Sequence, residues 1–142
     1  SAKSKLRITD EKVYTVDVAI MDKRPDAMVG DNLGWRLETI IYLELCRRKS
    51  ENDTDIYYYK KHARAKEVDF VVCKGNKILQ MYQVAYDMTN EKTRKREIDS
   101  LIQASQATKC KELYLITDSE RDTIQKNGYI INIIPAYEWL LS

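Results

Sequence analysis

Histidine occurs once, proline twice, glycine four times and cysteine three times in these 142 residues. Cys46, Cys73 and Cys110 stand far apart, form no CxxC pair and sit in apolar or amphipathic stretches. His62 has no neighbour of ligand type, so neither a zinc site nor a dithiol redox pair is expected, and the thiols read as reduced core residues. No apolar run approaches the roughly 20 residues that span a bilayer. The opening Ser1–Lys5 is polar and basic, without the apolar stretch of a signal peptide. No membrane partner and a cytoplasmic location are therefore expected. Internal repeats, linkers and low-complexity tracts are missing too, and so is a GxxxxGK(S/T) phosphate loop, so this chain by itself is not expected to hydrolyse ATP.

What remains is the composition of one folded domain. A chain of this length buries roughly two-thirds of the surface that its unfolded form exposes, so one core is expected. The formal net charge of +2 is too small to argue for nucleic acid, because phosphate binding depends on where the cations cluster.

Lys12–Asp17 is β-prone, and Val18–Gly30, interrupted by Pro25, is expected to be a loop or short helix. Asp31, Asn32 and Gly34 suggest a turn or cap before a helix over Trp35–Lys49, where Leu37, Ile41 and Leu45 recur at helical spacing beside Ile40. Ile56–Lys60 predicts a strand turning around His62–Arg64. Lys66–Cys73 alternates, with Val68, Phe70 and Val72 on one face, and a Lys74-Gly75-Asn76 turn leads into a partner strand over Lys77–Tyr86. Glu91–Thr108 predicts a second helix with Ile98, Leu101, Ile102 and Ser105 along one stripe. Leu113–Thr117 and Tyr129–Ile134 read as buried strands joined by a polar connector ending in Asn127-Gly128, and Pro135 can open a closing helix over Ala136–Leu141. Residues 1–34 would be a lead-in strand and loop packed on the domain proper, residues 35–142, within one domain overall. Helix, three-strand meander, helix, two further strands and short helix make an α/β mixed sheet with helices on its faces.

Asp69 lies in the middle of an apolar strand, where an unpartnered carboxylate is costly, and Gln83 is placed similarly in the neighbouring strand. Period two puts Gln83, Ala85 and Asp87 on one side, and antiparallel pairing can bring Asp69 near them. Glu38 adds a carboxylate on the preceding helix. The bland alternatives are a strand aspartate held by hydrogen bonds, and surface glutamates such as Glu44, placed to pair with Arg48 at i, i+4. Lys60, Lys61, Arg64 and Lys66 in KKHARAK form the densest basic segment. With Arg94 and Arg96 they are the candidates for phosphate contacts, although Glu91, Glu97 and Asp99 also fit a solvated helix face. Tyr57, Tyr58 and Tyr59 could stack bases or could be strand core.

Glu38 in GWRLETIIYLEL, Asp69 in KEVDFVV and the spaced polar position in QMYQVAYD together resemble the PD-(D/E)xK nuclease superfamily. More narrowly, the stretch from about Val13 to Leu141 is similar to a nuclease-like domain of unknown function at the C-terminus of a group of bacterial and archaeal AAA-type ATPases. VYTVDVAI, GWRLETIIYLEL, KEVDFVV, QVAYD, TRKREIDSL and INIIPAYEWLL carry that likeness by their order. The resemblance implies a restriction-endonuclease-like fold, with the helix glutamate at Glu38, the strand aspartate at Asp69, the D/E position at Gln83 and the lysine position at Ala85. Two of those four positions depart: Gln83 removes a negative charge from the metal site, and Ala85 supplies neither cation nor proton donor.

The expected function is therefore that of a degenerate, non-catalytic accessory domain of a larger ATPase, binding DNA or a protein partner such as its own ATPase module. No cofactor is expected. One rival is an active Mg²⁺-dependent deoxyribonuclease, with Glu38 and Asp69 as metal ligands, the Gln83 carbonyl beside them and a cation relocated to Lys60, Lys66 or Arg94. The other is a protein-interaction or oligomerisation module.

Overall fold

The structure, a computed structural model, describes residues 5–8, 11–15, 29–60 and 68–142, with side chains described over 33–59 and 68–142. In chain order the elements are β1 (Lys5–Ile8), β2 (Glu11–Thr15), α1 (Val29–Asn52), β3 (Asp55–Lys60), β4 (Val68–Lys74), β5 (Lys77–Val84), α2 (Glu91–Thr108), β6 (Leu113–Thr117), β7 (Asp122–Lys126), β8 (Tyr129–Pro135) and α3 (Ala136–Leu140). The expected loop around His62–Arg64 and most of the Val18–Gly30 stretch lie outside the described residues. α1 starts at Val29 rather than Trp35, so Asp31, Asn32 and Gly34 are helical residues and not its cap. β1 and β7 were not anticipated.

All the strands join one sheet in the order β1-β2-β3-β4-β5-β6-β8-β7. Neighbours from β1 to β5 are antiparallel, β5–β6 and β6–β8 are parallel, and β7 returns antiparallel to β8. The α/β mixed sheet is thus present. It divides the interior into two apolar layers rather than the single core expected. Ile98, Leu101 and Ile102 of α2 pack with Val71, Cys73, Met81, Leu113, Leu115, Ile131 and Ile133 on one face. Leu37, Ile41, Tyr42 and Leu45 of α1, with Trp139 of α3, pack with Phe70, Val72, Tyr82 and Ile116 on the other. Burial on both faces explains why LYLIT lacks alternation, whereas β8 beside the edge strand buries Ile131 and Ile133 and leaves Ile130 exposed.

Two turns fix the hairpins. Gly75, at φ 59°, opens the two-residue turn between Lys74 and Lys77, and Asn127 and Gly128, at φ 55° and 80°, form the turn between Lys126 and Tyr129. Positive φ at both central residues matches the twist of a two-residue hairpin, which is why Asn-Gly suits it. The edge strand β7 is laced to α2 by Lys126 on Asp99 (2.8 Å) and Arg94 on Asp122 (3.3 Å). Lys126 and Lys95 together hold the Asp99 carboxyl below the usual carboxylate range.

At the start of α2, the Asn90 side-chain oxygen accepts from the backbone N–H groups of Lys92 and Thr93 at 2.9 and 3.2 Å. Asn90→Ala leaves both donors to water and is expected to cost about 1 kcal/mol. The check is a lower urea midpoint with an unchanged slope; an unchanged midpoint would mean that water caps the helix as well as the amide does.

Candidate functional site

The β4–β5 ladder runs out at Phe70–Tyr82, and the next opposed pair is Asp69 and Gln83. There side chains take over the backbone pairing. Gln83 Oε1 accepts from the Asp69 N–H at 2.8 Å, and Asp69 Oδ2 accepts from the Val84 N–H at 2.9 Å. The cause is a bulge. Tyr57 opposes Val71 while Tyr59 opposes Val68, so β4 carries an extra residue at Asp69–Phe70. Val68 and Val71 consequently share the α2-side layer, which corrects the strict alternation expected of Val68, Phe70 and Val72. An extra residue leaves backbone groups out of register, and these two polar side chains satisfy them.

Glu38 is buried, 8% exposed, in the stripe of Leu37, Ile41 and Tyr42, and it has a partner. The Tyr42 ring stacks on Phe70 with centroids 5.7 Å apart, and Leu45 lines a cleft with Val72, so α1 runs alongside β4 in the same direction. Glu38, one helical turn of about 5.4 Å before Tyr42, is therefore carried toward the start of β4, where Asp69 lies. The structure joins Asp69 to Gln83 and sets Glu38 at the same end of the sheet. Ala85, at the lysine position, packs against the α2-side layer, and its N–H donates to the Ile116 carbonyl at 2.9 Å.

Just beyond Ala85, at the C-terminal ends of β5 and β6, opens a cavity of about 470 Å³ lined by Asp87, Glu91, Arg94, Thr117 and Glu120 among others. Open α/β sheets bind ligands at such strand ends. Here Arg94 is already tied to Glu120 and Asp122, and Arg96 to Glu97, while the Thr89 N–H holds the Asp87 carboxyl below the usual carboxylate range. Lys60, Lys61, Arg64 and Lys66 fall outside the described side chains. Tyr59 is 2% exposed in the α2-side layer with Tyr57 packed on it, the strand-core role rather than a stacking platform. Glu44 pairs with both Arg47 and Arg48, and those pairs keep its carboxyl below its ordinary value.

A larger cleft, about 630 Å³, lies at the opposite end of the sheet, between the β4–β5 turn and the segment joining α2 to β6. Lys74, Lys77, Lys109 and Lys111 line it. The one signal of this group in the sequence is the Lys-Gly-Asn-Lys turn, which sets Lys74 opposite Lys77. Lys109 and Lys111 join them because β6 lies parallel to β5, a neighbour relation that no local pattern reveals. Among the described residues no group of three or more His, Cys, Asp or Glu is placed to hold a metal ion. Burial pushes the Cys73 thiol up to about 12 and raises that of Cys110, so neither is a thiolate at neutral pH.

Residues 33–139 match the family described as a domain of unknown function (DUF4143). The chain belongs to that family. An uncharacterized protein of Methanocaldococcus jannaschii is 32% identical over 117 residues, which cover 78% of this chain and 25% of that protein. The chain thus spans about a quarter of the length of this relative. No solved structure matches it. The matched family stretch runs from within α1 through most of α3, and takes in Glu38, Asp69, Gln83 and both clefts. No helix among the described residues is long and apolar enough to cross a membrane.

Proposed function

We propose that this DUF4143 domain is a degenerate PD-(D/E)xK-type fold that serves as a non-catalytic recognition module of a larger ATPase, with DNA or another protein as its partner. The observation that carries the reading is the crossed pair of hydrogen bonds at the end of the β4–β5 ladder. Two side-chain oxygens that a nuclease of that kind would turn toward a metal ion accept instead from backbone N–H groups of the neighbouring strand. The element order α1-β3-β4-β5-α2-β6 agrees with a restriction-endonuclease-like core.

The donor set does not suit Mg²⁺. That ion wants near-ideal octahedral oxygen ligands and is usually held by carboxylates, whereas Gln83 is neutral and both Gln83 Oε1 and Asp69 Oδ2 already accept hydrogen bonds. Ala85 has no cation to offer, and Arg94 is paired with two carboxylates. Membership of a larger assembly draws on the relative, three-quarters of which lies beyond the matched stretch. A protein partner draws on the outward side of α1, where Leu33, Ile40 and Leu43 are 38, 46 and 57% exposed.

Supercoiled DNA incubated with the domain and Mg²⁺ or Mn²⁺ is expected to show no nicking beyond that seen with Asp69→Ala. Nicking that disappears in Asp69→Ala would replace this reading by the metal-dependent nuclease.

A further inference from the structure

We infer that the cleft between the β4–β5 turn and the α2–β6 segment binds the phosphodiester backbone of nucleic acid, through Lys74, Lys77, Lys109 and Lys111. The inference rests on the recognition role proposed above and moves its contact surface away from the Asp69–Gln83 end of the sheet.

Lys74 and Lys77 are directly opposed in the ladder. Like charges so placed repel, and none of the carboxylates among the described residues pairs with either ammonium. Lys109 is the C-cap of α2 in the left-handed conformation, φ 64°, a position that glycine fills at less cost. Two residues on, Lys111 lies 5.7 Å from the centroid of the Tyr129 ring. The acid in the cleft, Glu112, is held by the Gln80 amide at 3.1 Å. Two local arrangements that cost stability thus present cations to one concavity. A bound polyanion would relieve the repulsion between them.

Phosphates fit this cleft better than the carboxylates of an acidic protein. A guanidinium fork would serve carboxylate and phosphate alike, but the cleft's guanidinium, Arg48, is taken up by Glu44 and by the carbonyl and ring of Trp139, which leaves lysine ammonium groups, the point charges that bind phosphate. Ammonium groups act as point charges that follow a backbone without reading bases, so binding should be independent of sequence. The cavity at the other end of the sheet faces phosphate with Asp87, Glu91 and Glu120 against one paired arginine, and would repel it.

The test is a salt titration of the intact chain with a short DNA duplex. Each phosphate that the protein no longer neutralises should make the slope of log K against log [salt] shallower by about 0.9. Lys74→Gln/Lys77→Gln should therefore flatten the slope by about 1.8, while Lys92→Gln/Lys95→Gln, which removes the same charge from the exposed side of α2, should leave it unchanged. Lys109→Gly removes an ammonium while relieving the left-handed backbone, so it should flatten the slope by about 0.9 without lowering Tm. Equal effects of the two double variants, a slope indifferent to Lys109→Gly, no binding at low salt, or displacement of the duplex by poly-glutamate at equal charge would each overturn the inference. Asp69-dependent nicking would instead sink the non-catalytic reading and leave this surface standing.

Discussion

Trp139→Ala is expected to destabilise the domain by about 3–5 kcal/mol, the usual range for truncating a buried large aromatic. Trp139 is 4% exposed and anchors α3, a helix of five residues that is far too short to hold itself together. Its ring meets Tyr82 edge-on at 5.6 Å, and Tyr82 stacks on Tyr114 at 5.0 Å, so one indole joins α3 to both β5 and β6. From α1, the Arg48 guanidinium sits 4.1 Å over the indole and donates to the Trp139 carbonyl at 2.8 Å. Against a total stability of about 5–15 kcal/mol the loss is roughly a fifth or more, and Tm should fall by on the order of 10 °C. Arg48→Ala removes the cation and its hydrogen bond but leaves the aromatic packing, and should cost only about 1–2 kcal/mol. A thermal melt of both variants checks the order. A loss below about 1 kcal/mol for Trp139→Ala would show that α3 lies outside the cooperative unit.

The elements that the sequence announced are those where one physical signal dominates. Ile98, Leu101, Ile102 and Ser105 recur at helical spacing, and all four are buried under α2. LYLIT is apolar enough to be a strand covered on both faces, as β6 is, whereas in β8 the alternate residues Ile131 and Ile133 are buried and Ile130 is 47% exposed, so YIINII is fully covered on one face only. DTIQK, with Ile124 its single aliphatic residue, carries no such signal, and it became a strand because it lies on an edge where polar residues face water. The Asn127-Gly128 pair marked that hairpin, but a turn names a strand only when both flanks are read as its arms. The start of α1 was hidden for the opposite reason: Asp31, Asn32 and Gly34 favour caps and turns in isolation, and local preference does not settle how far a helix is extended.

The Asp69–Gln83 end of the sheet was half legible. Antiparallel pairing across the Gly75 turn predicts that these residues come together, and they do. The bulge that gives their contact its meaning was not legible, because KEVDFVVC alternates well enough to pass for a regular strand, and the extra residue shows only in the pairing with β3. Glu38 was singled out by family likeness alone. Its burial beside Ile41 follows from α1 lying flat on the sheet, and a helical stripe containing one carboxylate does not reveal that.

Asp69→Leu and Asp69→Asn should part company, and their difference tests what this carboxylate does. Leucine leaves the Val84 N–H without its acceptor at a partly buried strand end, which costs about 1–3 kcal/mol. Asparagine keeps an oxygen in place and gives up only the charge on the acceptor, so its cost should stay under about 1 kcal/mol. Urea midpoints with unchanged slopes would read both values. A carboxylate kept for metal binding behaves differently, because the charge itself then matters and leucine and asparagine fail alike. Ion binding to the native state also raises Tm with ion concentration. The expected result is a leucine variant clearly weaker than the asparagine one, with a wild-type Tm indifferent to Mg²⁺. A Tm that climbs with Mg²⁺ in the wild type but not in Asp69→Asn would assign Asp69 to an ion, and the hydrogen bond to Val84 would then describe only its resting position.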